Sequence, residues 1–363
     1  MKNPYLCSMK IVLAFDSFKG CLPAEDVCRA AKDGILSVWE DAEVVSVPLS
    51  DGGEGLVQCF LRMGKAREES VKVHGPMMEE VSVTYAISHD GETAYMEMAS
   101  ACGLTLVPVD KRNVMDATTY GLGEMMVDAW ERGVKHIVLG IGGSATCDAG
   151  MGMLKVLKNH TLLLPEKTQG ITVVCDVDNP LYGEKGAAYV FAPQKGATPE
   201  QVEVLDRRLR AFAMATEEMG LATAEDAFHP GAGAAGGLGY ALLTYLGAEL
   251  KQGIDVVMEA CGFDDVLKGA DVVITGEGCS DGQTLHGKVA AGVLIRAKRQ
   301  GVKTVLMSGQ IKEKDILEAY GFDTLYGINE GDERPLSELM NPDVAKENIR
   351  KTCQRMIEEG VLN

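Results

Sequence analysis

Several common signatures are missing from this chain of 363 residues. It is short of positive charge: 35 Lys and Arg face 53 Asp and Glu, for a net charge of −18. That sign repels a phosphate backbone and argues against nucleic acid as the main partner. It does not exclude a small anionic substrate, because backbone N–H groups and local lysines make positive pockets on acidic proteins. No apolar run is long enough to span a bilayer, so no membrane partner is expected. The N-terminal MKNPYLCSMKIVLAF lacks the basic region, apolar stretch and small-residue cleavage site of a signal peptide, which points to the cytoplasm. No two of the ten cysteines form a C-x-x-C pair, which argues against both a zinc pattern and a disulfide framework. They read as small core residues in a reducing compartment. The six histidines are dispersed, against a His-rich metal site. What the chain does have is 46% hydrophobic and 24% charged residues, the balance of a globular protein rather than a disordered one.

The order of elements supplies the fold class. Ile11–Phe15 is a continuous apolar run, and Pro23 opens a helix in which Val27, Ala31, Ile35 and Val38 recur near helical spacing. A strand over Val44–Val47 and a helix over Leu56–Met63 follow. The middle changes character. Val81–Ile87 and Thr93–Met98 read as neighbouring strands joined by His89-Asp90-Gly91. Asp116 is placed to cap a helix running towards Arg132. His136–Leu139 and Ile171–Cys175 are strands, and Thr198-Pro199-Glu200-Gln201 fits a capping box. The end returns to alternation: strand Asp271–Thr275, helix Val289–Arg299, strand Thr304–Met307, then two helices. Strand-helix alternation implies a parallel sheet covered on both faces. The expected fold is α/β: a Rossmann-like parallel-sheet domain from residues 1–75 and 270–363, with a second α/β domain, 76–269, inserted.

Glycines and acids cluster just after these strands, where open α/β sheets bind ligands. Asp16, Ser17 and Lys19 follow the first strand. There Ser17 is suited to a ligand oxygen and Lys19 to a carboxylate or phosphate, although a solvated turn would use the same residues. Asp51, Gly52, Gly53 and Glu54 put two flexible residues between two carboxylates, open to Mg²⁺ or to a hydroxyl proton. Gly142, Gly143, Ser144, Thr146 and Asp148 form a glycine loop with hydroxyls and an acid, suited to phosphate and Mg²⁺. Asp176, Asp178 and Asn179 either hold a metal or substrate hydroxyls, or make a turn before Pro180. Lys195, close to the capped helix, would strengthen an anion site.

Gly231-Ala232-Gly233-Ala234-Ala235-Gly236 is a literal G-x-G-x-x-G, but no strand precedes it, so a dinucleotide reading fails. Gly233 and Gly236 then serve either a loop over phosphates or tight helix packing. Glu277 and Asp281 precede Gly282-x-x-x-x-Gly287-Lys288-Val289, which resembles a P-loop but lacks the Ser or Thr after Lys288. Lys288 retains the option of meeting a phosphate at a helix N-terminus. His286 is the one histidine inside a glycine cluster, as a ligand contact or as a hydrogen-bonded turn residue.

Taken together, these segments resemble the type 1 glycerate kinases. The matching pieces are DSFKG at 16–20, SDGGEG at 50–55, MEMASACGL at 96–104, ATTYG at 117–121, GIGGSAT at 140–146, CDVDNPL at 175–181, PQKGATPE at 193–200, PGAGAAGGLG at 230–239 and ITGEG…DGQTLHGK at 274–288. They occur in the family's order over nearly the whole chain. The resemblance implies phosphoryl transfer from ATP, with Mg²⁺, to a hydroxyl of D-glycerate, giving 2-phosphoglycerate. It also implies a site in the cleft between two α/β domains.

By residue type, Asp51 is then the candidate base or metal ligand, with Glu54 beside it and Asp148 a further metal candidate. Lys19 and Ser17 would hold the carboxylate or a phosphate, and Asp176 with Asp178 would face the metal or substrate hydroxyls. Glu277, Asp281 and Lys288 would act from the same domain as Asp51. The chain departs from the family at Cys279 and Ser280, where Arg and an aliphatic residue are usual, and at Cys147, where Asn is usual. It is also shorter between Met153 and Ile171. Cys cannot supply the bidentate grip of Arg. A kinase for another small hydroxy acid or sugar acid therefore stays open, as does a non-catalytic ligand-binding homologue.

Overall fold

A computed structural model describes residues 9–50, 55–160, 170–285 and 287–362. Its strands are β1 (Lys10–Phe15), β2 (Glu43–Ser46), β3 (Ala66–His74), β4 (Glu80–Ser88), β5 (Thr93–Glu97), β6 (His136–Gly140), β7 (Gly170–Val174), β8 (Glu249–Lys251), β9 (Val272–Gly276), β10 (Cys279–Ser280), β11 (Lys303–Ser308), β12 (Gln310–Ile311) and β13 (Thr324–Gly327). The chain divides into two compact units, Met1–Asp51 with Ile254–Asn363, and Gly52–Gly253.

The first unit carries a parallel sheet of order β13-β11-β9-β1-β2. Strand residues alternate between faces. Ile11, Leu13 and Phe15 of β1 join Val27, Ala31 and Ile35 of the helix Ala24–Val38, and Ala345, Ile349 and Cys353 of the helix Pro342–Glu358, in one core. Elsewhere in the unit, Ala290 and Leu294 of the helix Val289–Gln300 pack with Leu306, Leu317 and Phe322. From β1 the chain steps to β2 on one side, and on its return it places β9 on the other side. The order therefore reverses between β1 and β9, and in an open α/β sheet the crevice outside the carboxyl ends at such a point is where ligands bind.

The second unit has the sheet order β3-β4-β5-β6-β7-β8, antiparallel from β3 to β5 and parallel from β5 to β8. Its main core joins Tyr85, Ile87, Met96, Ile137, Leu139 and Val173 to Leu122, Met125 and Leu157 of the helices Tyr120–Glu131 and Met151–Asn159.

The division falls earlier along the chain than the 75/76 and 269/270 boundaries read from sequence. β3 pairs with β4 along its whole length, from Ala66↔Ser88 to His74↔Glu80, which ties residues before 75 to the second sheet. Ile254 and Met258 pack close to Gly292 on the helix Val289–Gln300, which draws residues 254–269 into the first unit. β3 was not read from sequence because Arg67, Glu68, Glu69 and Lys72 obscure its apolar positions. The helix expected from Asp116 begins at Tyr120 with Thr119 at its N-cap, while the Asp116 carboxylate accepts from Asn113 Nδ2 at 2.6 Å. The capping box is present: Gln201 N donates to Thr198 Oγ1 at 3.3 Å, and Thr198 N donates to Gln201 Oε1 at 2.9 Å. Burial pushes the thiols of Cys28, Cys102 and Cys353 up to about 12 and that of Cys147 to about 11, as inert core residues behave. Among the described residues, no helix is long and apolar enough to cross a membrane.

β9 and β11 approach so closely that a Cβ at Gly276 would lie 1.8 Å from Met307 O, a backbone atom that cannot swing aside. Gly276→Ala is therefore expected to cost about 3 kcal/mol as an overpacking change. Thr198→Ala, which loses only a cap, is expected to cost about 1 kcal/mol. Urea unfolding of both variants tests the ranking, and equal midpoints would show that the strand approach is not tight.

Candidate active site

In the first unit the reversal point brings together segments that are far apart in sequence. β1 and β9 run parallel from Ile11↔Val272 to Phe15↔Gly276, and Asp16 N donates to Gly276 O at 3.0 Å. Asp16, Ser17 and Lys19 thus leave the sheet beside Gly276 and Glu277. Asp16 Oδ1 accepts from Ser17 N at 2.6 Å, and Lys19 is exposed.

Glu277 is only 8% exposed, and its carboxylate is held by hydroxyls and a lysine. Thr284 Oγ1 donates to Oε1 at 2.7 Å, Ser280 Oγ to the same oxygen at 3.4 Å, and Lys288 Nζ to Oε2 at 2.9 Å. Burial alone would lower the Lys288 pKa, but the hydrogen bond and charge of Glu277, with Asp281 and Asp16 nearby, outweigh it and raise the value. Lys288 therefore stays protonated among three carboxylates.

The segment that resembles a P-loop differs from one. Gly282–Leu285 is a 3-10 turn, and Lys288 occupies the N-cap of the helix Val289–Gln300 instead of its first turn. The turn is pinned by Gln283 N to Asp281 Oδ1 at 2.9 Å and by Gly282 N to Glu313 Oε2 at 2.8 Å.

In the second unit the loop after β6 is the centre. Gly142 and Gly143 are exposed, whereas Ser144 and Thr146 are buried. Lys195 is 2% exposed and donates to Ser144 Oγ and to Thr146 O, both at 2.7 Å. It lies beneath the loop and does not line an open surface.

Asp148, expected as a metal ligand, is occupied otherwise. Its Oδ2 accepts from Thr119 N and Thr119 Oγ1 at 2.9 Å and from Gly152 N at 3.1 Å, and its Oδ1 accepts from Gly150 N at 3.2 Å. It ties the loop to the starts of two helices. Among the described residues no three His, Cys, Asp or Glu side chains are grouped to hold a metal.

Gly233 and Gly236 are buried, and the structure gives them the packing role. Ala235, Gly236 and Gly237 form a left-handed turn with φ of 52°, 69° and 89°. A Cβ at Gly236 would lie 2.2 Å from Thr146 O, and one at Gly233 would lie 2.2 Å from Pro180 O. The glycines let this turn press against the loops at 146–149 and 179–181. Asp176 Oδ1 accepts from Gly253 N at 2.9 Å, Asp178 is exposed, and Asn179 Nδ2 donates to Lys185 O at 2.8 Å. Asp51, Gly52, Gly53, Glu54 and His286 lie outside the described residues.

Sequence reasoning missed the residues that hold the acids. Ser280, Thr284 and Ser308 surround Glu277, with Ser280 Oγ 2.7 Å from Ser308 Oγ. Ser308-Gly309 follows the same strand-end rule that identified the other clusters, so that signal was available. Glu97, at the end of β5, accepts from Gly55 N at 2.8 Å and Leu56 N at 3.2 Å and secures the start of the helix Leu56–Arg62. Two buried hydroxyls that have no hydrogen-bond partner among the described residues, Thr275 Oγ1 and Thr146 Oγ1, lie close to the two clusters.

Comparison with known proteins gives this arrangement a relationship. A model of the glycerate kinase family matches residues 11–163 and 158–359. Glycerate kinase of Bacillus subtilis (strain 168) is 42% identical over 349 residues, covering 89% of this chain and 91% of that protein. Glycerate 2-kinase of Escherichia coli (strain K12) is 39% identical over 346 residues, covering 88% and 90%. The crystal structure of a protein assigned as glycerate kinase 2 from Salmonella typhimurium LT2 superposes with a TM-score of 0.82 at 37% identity, covering 98% of this chain and all of that one. With its strand-end motifs in place and matches spanning both units, the chain belongs to the glycerate kinase family.

Proposed function

We propose that the protein is an ATP-dependent kinase that phosphorylates D-glycerate to 2-phosphoglycerate with Mg²⁺, in the cytoplasm. The observation that carries the reading to glycerate is the 42% identity to a glycerate kinase over 89% of the chain. The chemistry is a bond exchange: the acceptor oxygen bonds to the γ-phosphorus, the bond from that phosphorus to the bridging oxygen breaks, and ADP leaves. The hydroxyl proton passes to a carboxylate. Asp51 and Glu54 are the candidates for that role by their position after β2.

Phosphoryl transfer is mostly positioning and neutralisation of charge. Lys288, kept cationic by Glu277, suits a phosphate oxygen at the reversal point of the first sheet. Asp16 and Asp281 are hard oxygen donors in the same neighbourhood and suit Mg²⁺, which usually takes one or two carboxylates together with nucleotide phosphates. That habit fits the absence of a three-ligand cage among the described residues. When bound, Mg²⁺ would neutralise the phosphates. Lys19 and Ser17 would hold the acid's carboxylate or a phosphate, and Asp176 and Asp178 the metal or substrate hydroxyls. A second reading, a kinase for another small hydroxy acid or sugar acid, is favoured by Cys279, whose Sγ faces Gln310 Oε1 at 4.0 Å where the family resemblance implies an arginine.

The first test is ADP release by the purified protein given Mg·ATP and D-glycerate, with the product identified by NMR. Glycerate-dependent ADP and 2-phosphoglycerate are expected; ADP released only with a different hydroxy acid would move the assignment to the second reading. Lys288→Met is expected to lower kcat/KM on the order of 10²-fold, as loss of a charge-stabilising donor does. A value within twofold of the parent would remove Lys288 from the site.

A further inference from the structure

The second unit contains a buried cation with no ion-pair partner among the described residues. Lys195 is 2% exposed, and among the described residues no carboxylate lies within ion-pair distance of its ammonium. Its two hydrogen bonds go to neutral acceptors, Ser144 Oγ and Thr146 O. Burial pulls its pKa down to about 8, against smaller raising effects of Cys147 and Asp148 on the same loop. Arg112 packs its Cβ and carbonyl against Gly196 while its guanidinium donates to Gln194 O at 3.3 Å, and Asp206 acts on Cys147 of the same loop. An ammonium buried in this way is costly, and the cost falls when an anion comes near it.

The loop above Lys195 is arranged to receive one. Among the described residues, the N–H groups of Gly142, Gly143 and Ser144 donate to no protein acceptor. Gly143 is left-handed, with φ of 72°, and both glycines are exposed. Successive unused N–H groups in such a turn make an anion-binding concavity. Ser144 Oγ accepts from Lys195, so its own proton is turned elsewhere and meets no protein acceptor among the described residues. Thr146, 0% exposed, has an Oγ1 with no partner among the described residues, beside the carbonyl that Lys195 holds.

We propose that the loop Gly142–Ser144 is an anion site, and that Lys195 is the positioning residue that charges it from beneath without touching the ligand. The ligand is a small oxyanion, either the carboxylate of the acid substrate or the phosphate being transferred. Only this choice of ligand rests on the kinase reading. Ser144 passes the influence of Lys195 outward by presenting its hydroxyl proton, and the three N–H groups complete the cradle. Above a pH of about 8 the lysine loses its proton, and the loop loses its underlying charge.

The test uses the full chain with Lys195→Met, Lys195→Arg and Ser144→Ala variants. Binding of inorganic phosphate and of D-glycerate is followed by calorimetry between pH 7 and pH 9.5, and kcat and KM are measured for ATP and D-glycerate separately. Wild type is expected to bind one of these anions with affinity that falls as pH rises through about 8. Lys195→Met should bind that anion about tenfold more weakly and lose the pH dependence. Its melting temperature should be unchanged or higher, because an uncompensated buried ammonium is gone. Ser144→Ala should weaken binding while keeping the pH dependence, and Lys195→Arg should recover part of the affinity. A rise in KM for D-glycerate alone identifies the carboxylate as the ligand, and a rise for ATP alone identifies the phosphate. Unchanged anion affinity in both Lys195→Met and Ser144→Ala overturns the proposal. If Lys195→Met does not fold, a wild-type affinity flat from pH 7 to pH 9.5 overturns it just as well. Absence of glycerate turnover in wild type would count against the kinase reading and leave the phosphate-binding measurements to decide this one.

Discussion

The parallel pairing of β1 with β9 is the contact on which the first unit depends. It joins segments separated by 261 residues, and it starts with a reciprocal pair: Lys10 N donates to Asp271 Oδ2 at 2.8 Å, and Asp271 N donates to Lys10 O at 3.0 Å. From that register the strand ends follow. Phe15 lies opposite Gly276, so the turn carrying Asp16 and Lys19 comes off the sheet beside the turn carrying Glu277. A slip by one residue would turn Ile11, Leu13 and Phe15 out of their core, so the apolar face that fixes the fold also fixes the site.

The two units solve the same problem in opposite ways. Each holds a largely buried charged side chain against a loop that follows a strand. The first surrounds the Glu277 carboxylate with Thr284, Ser280 and a half-buried lysine, and so leaves a cation at the rim. The second buries the cation itself, Lys195, under neutral oxygens and keeps its acid, Asp148, satisfied by backbone and threonine donors. Carboxylates of similar appearance in the sequence thus have different duties, decided by how many donors surround them.

Much of this was legible in the sequence, and the failures share a cause. Strand-helix alternation, the capping box at Thr198 and the clustering of polar residues after strands are local properties, and each appears in the structure. The burial of Gly233, Gly236 and Lys195 is not local. It depends on which loop from elsewhere presses against them, here 146–149 and 179–181, and nothing adjacent in the chain records that approach. Asp148 looked like a ligand because its partners, Thr119 and Gly152, come from different helices. β3 escaped notice because its charged residues hide a strand whose identity is set by pairing with β4.

The division of the chain also bears on how it is made. The first unit takes β1 and β2 from one end and β9, β11 and β13 from the other, while the second unit, Gly52–Gly253, is continuous. On the ribosome, where chains emerge at roughly 5–20 residues per second and domains fold as units, Gly52–Gly253 is complete before β9 exists. β1 and β2 must wait through that interval with an apolar strand, Ile11–Phe15, unpaired on one edge. The inserted unit shortens the wait in effect, because once folded it replaces a long flexible loop with a compact body and lowers the entropy lost when the two ends of the sheet finally meet.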